Sequence, residues 1–190
     1  MTIFTNHKAA IATGFALAAI LIGIGLAQGG QMPDIFGLAR WGHFLAGITW
    51  IGLLYYLNFC HVPVFAGLSA ETKGELTREG SIVRRVLWWF RWGAMFTLIF
   101  GLVLLHGLHK NGAMGVDIMI GAAFGIIMWF NVWFIIWPAQ KRILGIVPGA
   151  TDEEKAKLGK RALIASRTNT ILSIPMLFFM GASAHFPIFG

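Results

Sequence analysis

Six histidines are spread over this chain of 190 residues, and four of them stand where apolar text starts or stops. His106 and His109 close the run LVLLHGLHKNGAMGVD (102–117), His43 lies at the start of another apolar run, and His185 ends a third. Residues at i, i+3 share a helix face, and imidazole nitrogens bind copper, zinc and haem iron. Asp117 lies just past the turn after His109 and could serve as a ligand or as an orienting second partner. Each histidine taken singly also has a plainer reading, as a hydrogen-bonded packing residue at a membrane interface.

A b-type haem needs two axial nitrogens from opposed helices and an apolar slot. His43 suits that role, because Gly42, Ala46 and Gly47 beside it are small enough to leave room for a macrocycle. His185 or His106 is the expected opposite ligand, with His109 as an alternate. Copper or zinc held by His43, His106, His109, His185 and Asp117 is the competing site. His43 and His61 are 18 residues apart, five turns of an α-helix, so they share a face if the helix is regular. That would allow a second, inner haem, with His7 or a methionine as its other ligand.

The elements that must position these side chains follow from composition. The chain is 57% hydrophobic and 12% charged, where a soluble domain carries about a quarter charged residues. Such a chain cannot cover itself for water, and its apolar runs reach the roughly 20 residues that cross a bilayer. Five segments are expected, at about 9–27, 38–59, 86–108, 116–137 and 168–184, in a single membrane domain spanning 1–190. The first resembles a signal peptide, with Lys8 ahead and small residues near Ala27, and is read as a retained helix. The fold class is an all-α integral membrane bundle of five helices.

Charge gives the orientation. Lys8, Lys73, Arg78, Arg84, Arg85, Arg91, Lys141, Arg142, Lys155, Lys157, Lys160, Arg161 and Arg167 fall on one side of such a bundle, and only Arg40 and Lys110 on the other. Basic residues mark the cytoplasmic side, so the N-terminus is cytoplasmic and the C-terminus periplasmic, in a bacterial inner membrane. The net charge of +7 is then a topology signal, helped by anionic lipid, and excludes nucleic acid as the expected partner. In this arrangement His43, His106, His109, His185 and Asp117 gather at the outer face.

Other chemistry is poorly served. The lone Cys60 excludes an internal disulfide, and no CxxCH or CxxC motif is present. Ser173 and Ser183 have no acid–base pair arranged around them, and GIGLAQGG lacks a strand–turn–helix setting for phosphate. A transporter is disfavoured because no segment carries a central carboxylate. Most of the eight tryptophans lie near segment ends and read as interfacial belt residues. The connection TDEEKAKLGKR reads as a solvated loop with a short helix capped at Thr151 by a Thr-x-x-Glu pattern.

The blocks RWGHFLAGITWIGLLYY, WWFRWGAMFTLIFGLVLL, GIIMWFNVWFIIWPAQKRILG and NTILSIPMLFFMGASAHFP resemble successive parts of the PuuD-type membrane urate hydroxylases. His43, Trp50, Gly52, Asn131, Pro138, Gln140, Asn169, Pro175, His185 and Pro187 stand where that pattern places them. The resemblance implies an oxidoreductase passing electrons to a periplasmic cytochrome c and the respiratory chain. Against the pattern, Thr168 replaces a histidine, several helices and a cytochrome c domain are missing, and His106 and His109 fall outside it. These departures argue against urate turnover itself. The expectation is a redox subunit of a larger membrane oxidoreductase, carrying haem b or, as the alternative, copper. An accessory subunit bracing a respiratory or monooxygenase complex is the second expectation.

Overall fold

The computed structural model describes residues 2–189, all helix and connection, with no strand among them. Five helices are long and apolar enough to cross a membrane: His7–Ala27, Ile35–Ala66, Ile82–Lys110, Val116–Ile143 and Asp152–His185. The chain divides into two compact units, Met1–Leu38 and Ala39–Gly190.

In the first unit, a turn of helix α1 (Thr2–Thr5) precedes α2 (His7–Ala27). The Asn6 side chain caps α2 by accepting the amides of Lys8 at 2.9 Å and Ala9 at 3.4 Å, satisfying donors that a helix start leaves bare. Gly29, at φ +90°, ends the helix and lets the amide of Gly30 return to the Gly25 carbonyl at 2.9 Å. Asp34 then accepts the Gly37 amide at 2.7 Å, in the first turn of α3 (Ile35–Tyr55).

The second unit holds the bundle. From α3 the chain passes through a π-helical segment, Tyr56–His61, into α4 (Val62–Ala66), and α5 (Ala70–Thr77) follows. Next come α6 (Ile82–Lys110), α7 (Val116–Phe130), a second π segment (Asn131–Ile136), α8 (Trp137–Ile143) and α9 (Asp152–His185). Both π segments end in a backbone bond five residues long, Val62 to Leu57 and Trp137 to Val132. In both cases a proline, Pro63 or Pro138, follows within the same continuous helix, so a backbone donor is missing just where the register changes.

The π turn at Tyr56–His61 corrects the shared face expected of His43 and His61. One extra residue in a turn offsets everything beyond it by roughly 100°, the rotation of one α-helical residue. His61 instead stacks on Phe65, ring centroids 5.0 Å apart.

Small residues set the helix crossings, because they let backbones approach closely. A Cβ on Gly93 of α6 would come 3.3 Å from the backbone nitrogen of Trp50 on α3. On Gly121 of α7 it would lie 2.8 Å from the Met180 side chain and 3.1 Å from its backbone nitrogen on α9. The core at these crossings contains Trp50, Leu54, Phe90, Ala94, Met128, Val132 and Met176. Trp50 is thus a core residue, 2% exposed, while Trp41, Trp88 and Trp89 remain exposed as belt residues do.

Two polar connections are more ordered than the sequence reading allowed. SAETKGELTREG contains α5, capped by Ser69, and α9 starts at Asp152 rather than near Thr168. The Thr151 capping box forms as expected: its hydroxyl accepts the Glu154 amide at 3.2 Å, and Glu154 accepts the Thr151 amide at 2.9 Å. The short capped helix and the last membrane-length helix are therefore one element of 34 residues.

Candidate functional site

His43 is the one predicted histidine ligand with a hydrogen bond to a neighbouring helix among the described residues. Its Nδ1–H donates to the backbone carbonyl of Thr97 on α6 at 2.9 Å, and Thr97 in turn donates its hydroxyl to the Gly93 carbonyl at 2.7 Å. Gly101 allows the ring to lie there, since a Cβ at that position would sit 3.1 Å from the imidazole Cε1. A histidine fixed through Nδ1 in this way keeps the Nε2 lone pair for another partner, as histidine ligands to metals do.

Of the small neighbours expected to leave a slot beside it, Gly42 is packed over. Phe100 of α6 fills the space next to Gly42, within 2.8 Å of where a Cβ would be. Gly42 is small where an aromatic ring packs on it.

The other predicted ligands are placed differently. His106, His109 and His185 are exposed. Asp117 is 3% exposed, and its Oδ2 accepts the amides of Ile188 at 3.0 Å and Phe189 at 3.2 Å, fastening the end of the chain to the start of α7. Its Oδ1 is buried without a hydrogen-bond partner. Among the described residues, no three of His, Cys, Asp and Glu gather into a group that could hold a metal ion.

A second polar constellation lies inside the bundle, built from amides and hydroxyls. Asn131 donates Nδ2 to Asn169 Oδ1 at 2.8 Å, and Asn169 donates its own Nδ2 to the Met128 carbonyl at 2.9 Å. Asn58 donates to the Leu54 carbonyl at 2.9 Å and to Ser166 Oγ at 2.8 Å. The hydroxyls of Tyr55 and Ser173 meet at 2.9 Å. Met128 and Leu54 sit in the last α turn before a π segment, where the change of register disturbs the backbone ladder. An asparagine amide supplies each of these carbonyls with a donor, as a buried acceptor requires.

Several buried polar atoms near this region have no partner: the indole nitrogens of Trp50, Trp129 and Trp133, and Asn58 Oδ1. On the same bundle the Arg91 guanidinium lies 3.5 Å over the Trp137 ring, and Trp92 meets Trp133 edge to face at 5.7 Å. A search led by histidine passes over Asn58, Ser166 and Ser173. The signal for them was available, since a polar side chain within an apolar segment is costly and marks a site by default.

The fold and site define an all-helical protein with five helices of membrane length, a half-buried, oriented imidazole and an internal amide cluster. A match is found to the family described as urate oxidase, N-terminal, over residues 106–189, less than half of the chain. No curated protein and no solved structure matches.

The family match corrects the resemblance to the PuuD-type membrane urate hydroxylases. The family found is urate oxidase-related, and the match gives no support to that membrane family. It begins at His106, so the blocks at 40–56 and 88–105 that carried half of the resemblance lie outside it. His106 and His109, which the resemblance left out, lie inside it.

Proposed function

We propose that this chain is a membrane-embedded subunit of a larger oxidoreductase assembly, and that His43 is the residue through which it holds a redox cofactor. The observation that carries the reading is the Nδ1 bond of His43 to Thr97, which orients the ring and keeps Nε2 for a ligand. The description of the partly matched family names an oxidase, which agrees with a redox assembly. Haem b supplies one-electron chemistry when bound, and copper is the alternative. Phe100 closes the side of His43 next to Gly42, so the cofactor's other contacts are assigned to a partner subunit. A periplasmic cytochrome c is the expected electron carrier.

The same reading places the N-terminus in the cytoplasm and the C-terminus in the periplasm of a bacterial inner membrane. The basic residues around α5, α8 and the start of α9 support that orientation.

A second reading, a non-catalytic accessory subunit, is favoured by the exposure of His106, His109 and His185 and by the ring of Phe100 beside Gly42. One experiment separates the two. The complex purified from native membranes, reduced with dithionite, is expected to show a b-type α band that His43→Ala removes and His61→Ala leaves. A folded complex with no such band, and with no copper or zinc by elemental analysis, overturns the cofactor reading and leaves the accessory one.

A further inference from the structure

We propose that the groove between the second π segment and the first half of α9 binds one anionic glycerophospholipid, its phosphate on Lys160 and Arg161 and its acyl chain along Ile135, Ile164 and Ala165. The groove encloses about 450 Å³ and changes character along its length. Lys157, Lys160 and Arg161 line one end, and Ile135, Ile164 and Ala165 form the floor. On α9 these positions recur every three or four residues, so they make one continuous face.

The cations at the mouth are unequally engaged. Lys157 pairs with Glu153 at 2.7 Å. Neither Lys160 nor Arg161 has an ion pair or side-chain hydrogen bond among the described residues. At the other end the polar groups are already engaged within the protein: Thr168 donates to the Ile164 carbonyl at 3.0 Å and Asn131 to Asn169. The groove therefore offers charge at its mouth and hydrocarbon contact beyond it.

That polarity selects the occupant. A free phosphate has no use for an apolar floor, and a zwitterionic lipid has little use for two unpaired cations. An anionic phospholipid matches both ends, and basic pockets between membrane helices hold such headgroups. From Lys160 to Thr168 the helix rises about 12 Å, enough for a phosphate and the first part of an acyl chain. The inference rests on the bundle lying in a bilayer.

The test is native mass spectrometry of the full chain released from nanodiscs of phosphatidylcholine with phosphatidylglycerol, read alongside thermal midpoints in each lipid. One phosphatidylglycerol is expected to be retained in preference to phosphatidylcholine by roughly tenfold or more, from about one decade or less per engaged cation. Lys160→Gln with Arg161→Gln should abolish the preference, and Arg78→Gln on the distant polar connection should leave it. Equal retention of the two lipids by the wild-type chain overturns the proposal, whatever the variants do. So does equal stabilisation by inorganic phosphate alone. Extraction of the chain from membranes by alkaline carbonate would instead refute the membrane reading, a result distinct from an integral protein without lipid preference.

Discussion

Asn169 ties α9 to α7 at the point where α7 changes into its π segment, and its loss can be worked out bond by bond. The side chain is fully buried, accepts from Asn131 and donates to the Met128 carbonyl. Interhelical hydrogen bonds in membrane proteins average about 0.6 kcal/mol and reach about 1.7 kcal/mol. Asn169→Leu, near in volume, removes two of them and leaves two buried polar groups bare, so about 2 kcal/mol of destabilisation is expected. Asn131→Leu removes one and should cost about 1 kcal/mol. With both asparagines replaced, neither is left facing an empty partner, and the double variant should be less destabilised than the sum by about 1 kcal/mol. Equilibrium unfolding in detergent micelles titrated with SDS measures all three. If the double variant equals the sum within about 0.3 kcal/mol, the pair is not coupled. The bond-by-bond account of this pair then fails.

Four further outcomes follow from the same packing. Gly121→Ala places a Cβ against the backbone of Met180 and the Met176 carbonyl at 3.3 Å and should destabilise the bundle by about 1–3 kcal/mol. Gly125→Ala, whose nearest neighbours are flexible methionine side-chain atoms at 3.6 Å, should stay within about 0.5 kcal/mol of wild type in the same titration. Asp117→Ala removes the acceptor for the Ile188 and Phe189 amides, so hydrogen exchange at those two amides should quicken while exchange in α7 and α9 holds; unchanged exchange there would count against the clasp. Arg91→Gln removes the guanidinium above Trp137 and should cost about 0.5–2 kcal/mol, with a change in tryptophan emission as an independent readout.

The elements were legible because their cause is local. A run of twenty apolar residues has few ways to avoid water, so the five membrane-length helices could be placed from hydropathy alone. Their ends were less legible. The reading stopped at Thr168 because Lys, Arg and Glu dominate the text before it. Helicity there is maintained by the Thr151 capping box and by pairs such as Lys157 with Glu153 at i, i+4. The capping pattern was recognised, but its continuity with the membrane-length helix could not be read from polarity.

The geometry around the predicted ligands was not legible in the sequence. His43 was singled out for its small neighbours, and the structure gives those neighbours a packing role. Gly42 and Gly101 are small to admit Phe100 and the imidazole itself at the crossing of α3 and α6, which requires knowing which faces meet. The same limit applies to His61, where eighteen residues counted at 3.6 per turn ignored the π turn between them. Asn58 and Asn169 are the clearest case. Each serves a carbonyl in the last α turn before a π segment, Asn58 from its own helix and Asn169 from across the bundle. The irregular backbone and the buried amide therefore explain one another. Both π segments lead into a proline in the next first turn, so an asparagine in an apolar run with a proline a few residues on is a signal worth reading. Read that way, the amide cluster of this bundle stands beside His43 as the part of the sequence that departs most from what simple membrane insertion requires.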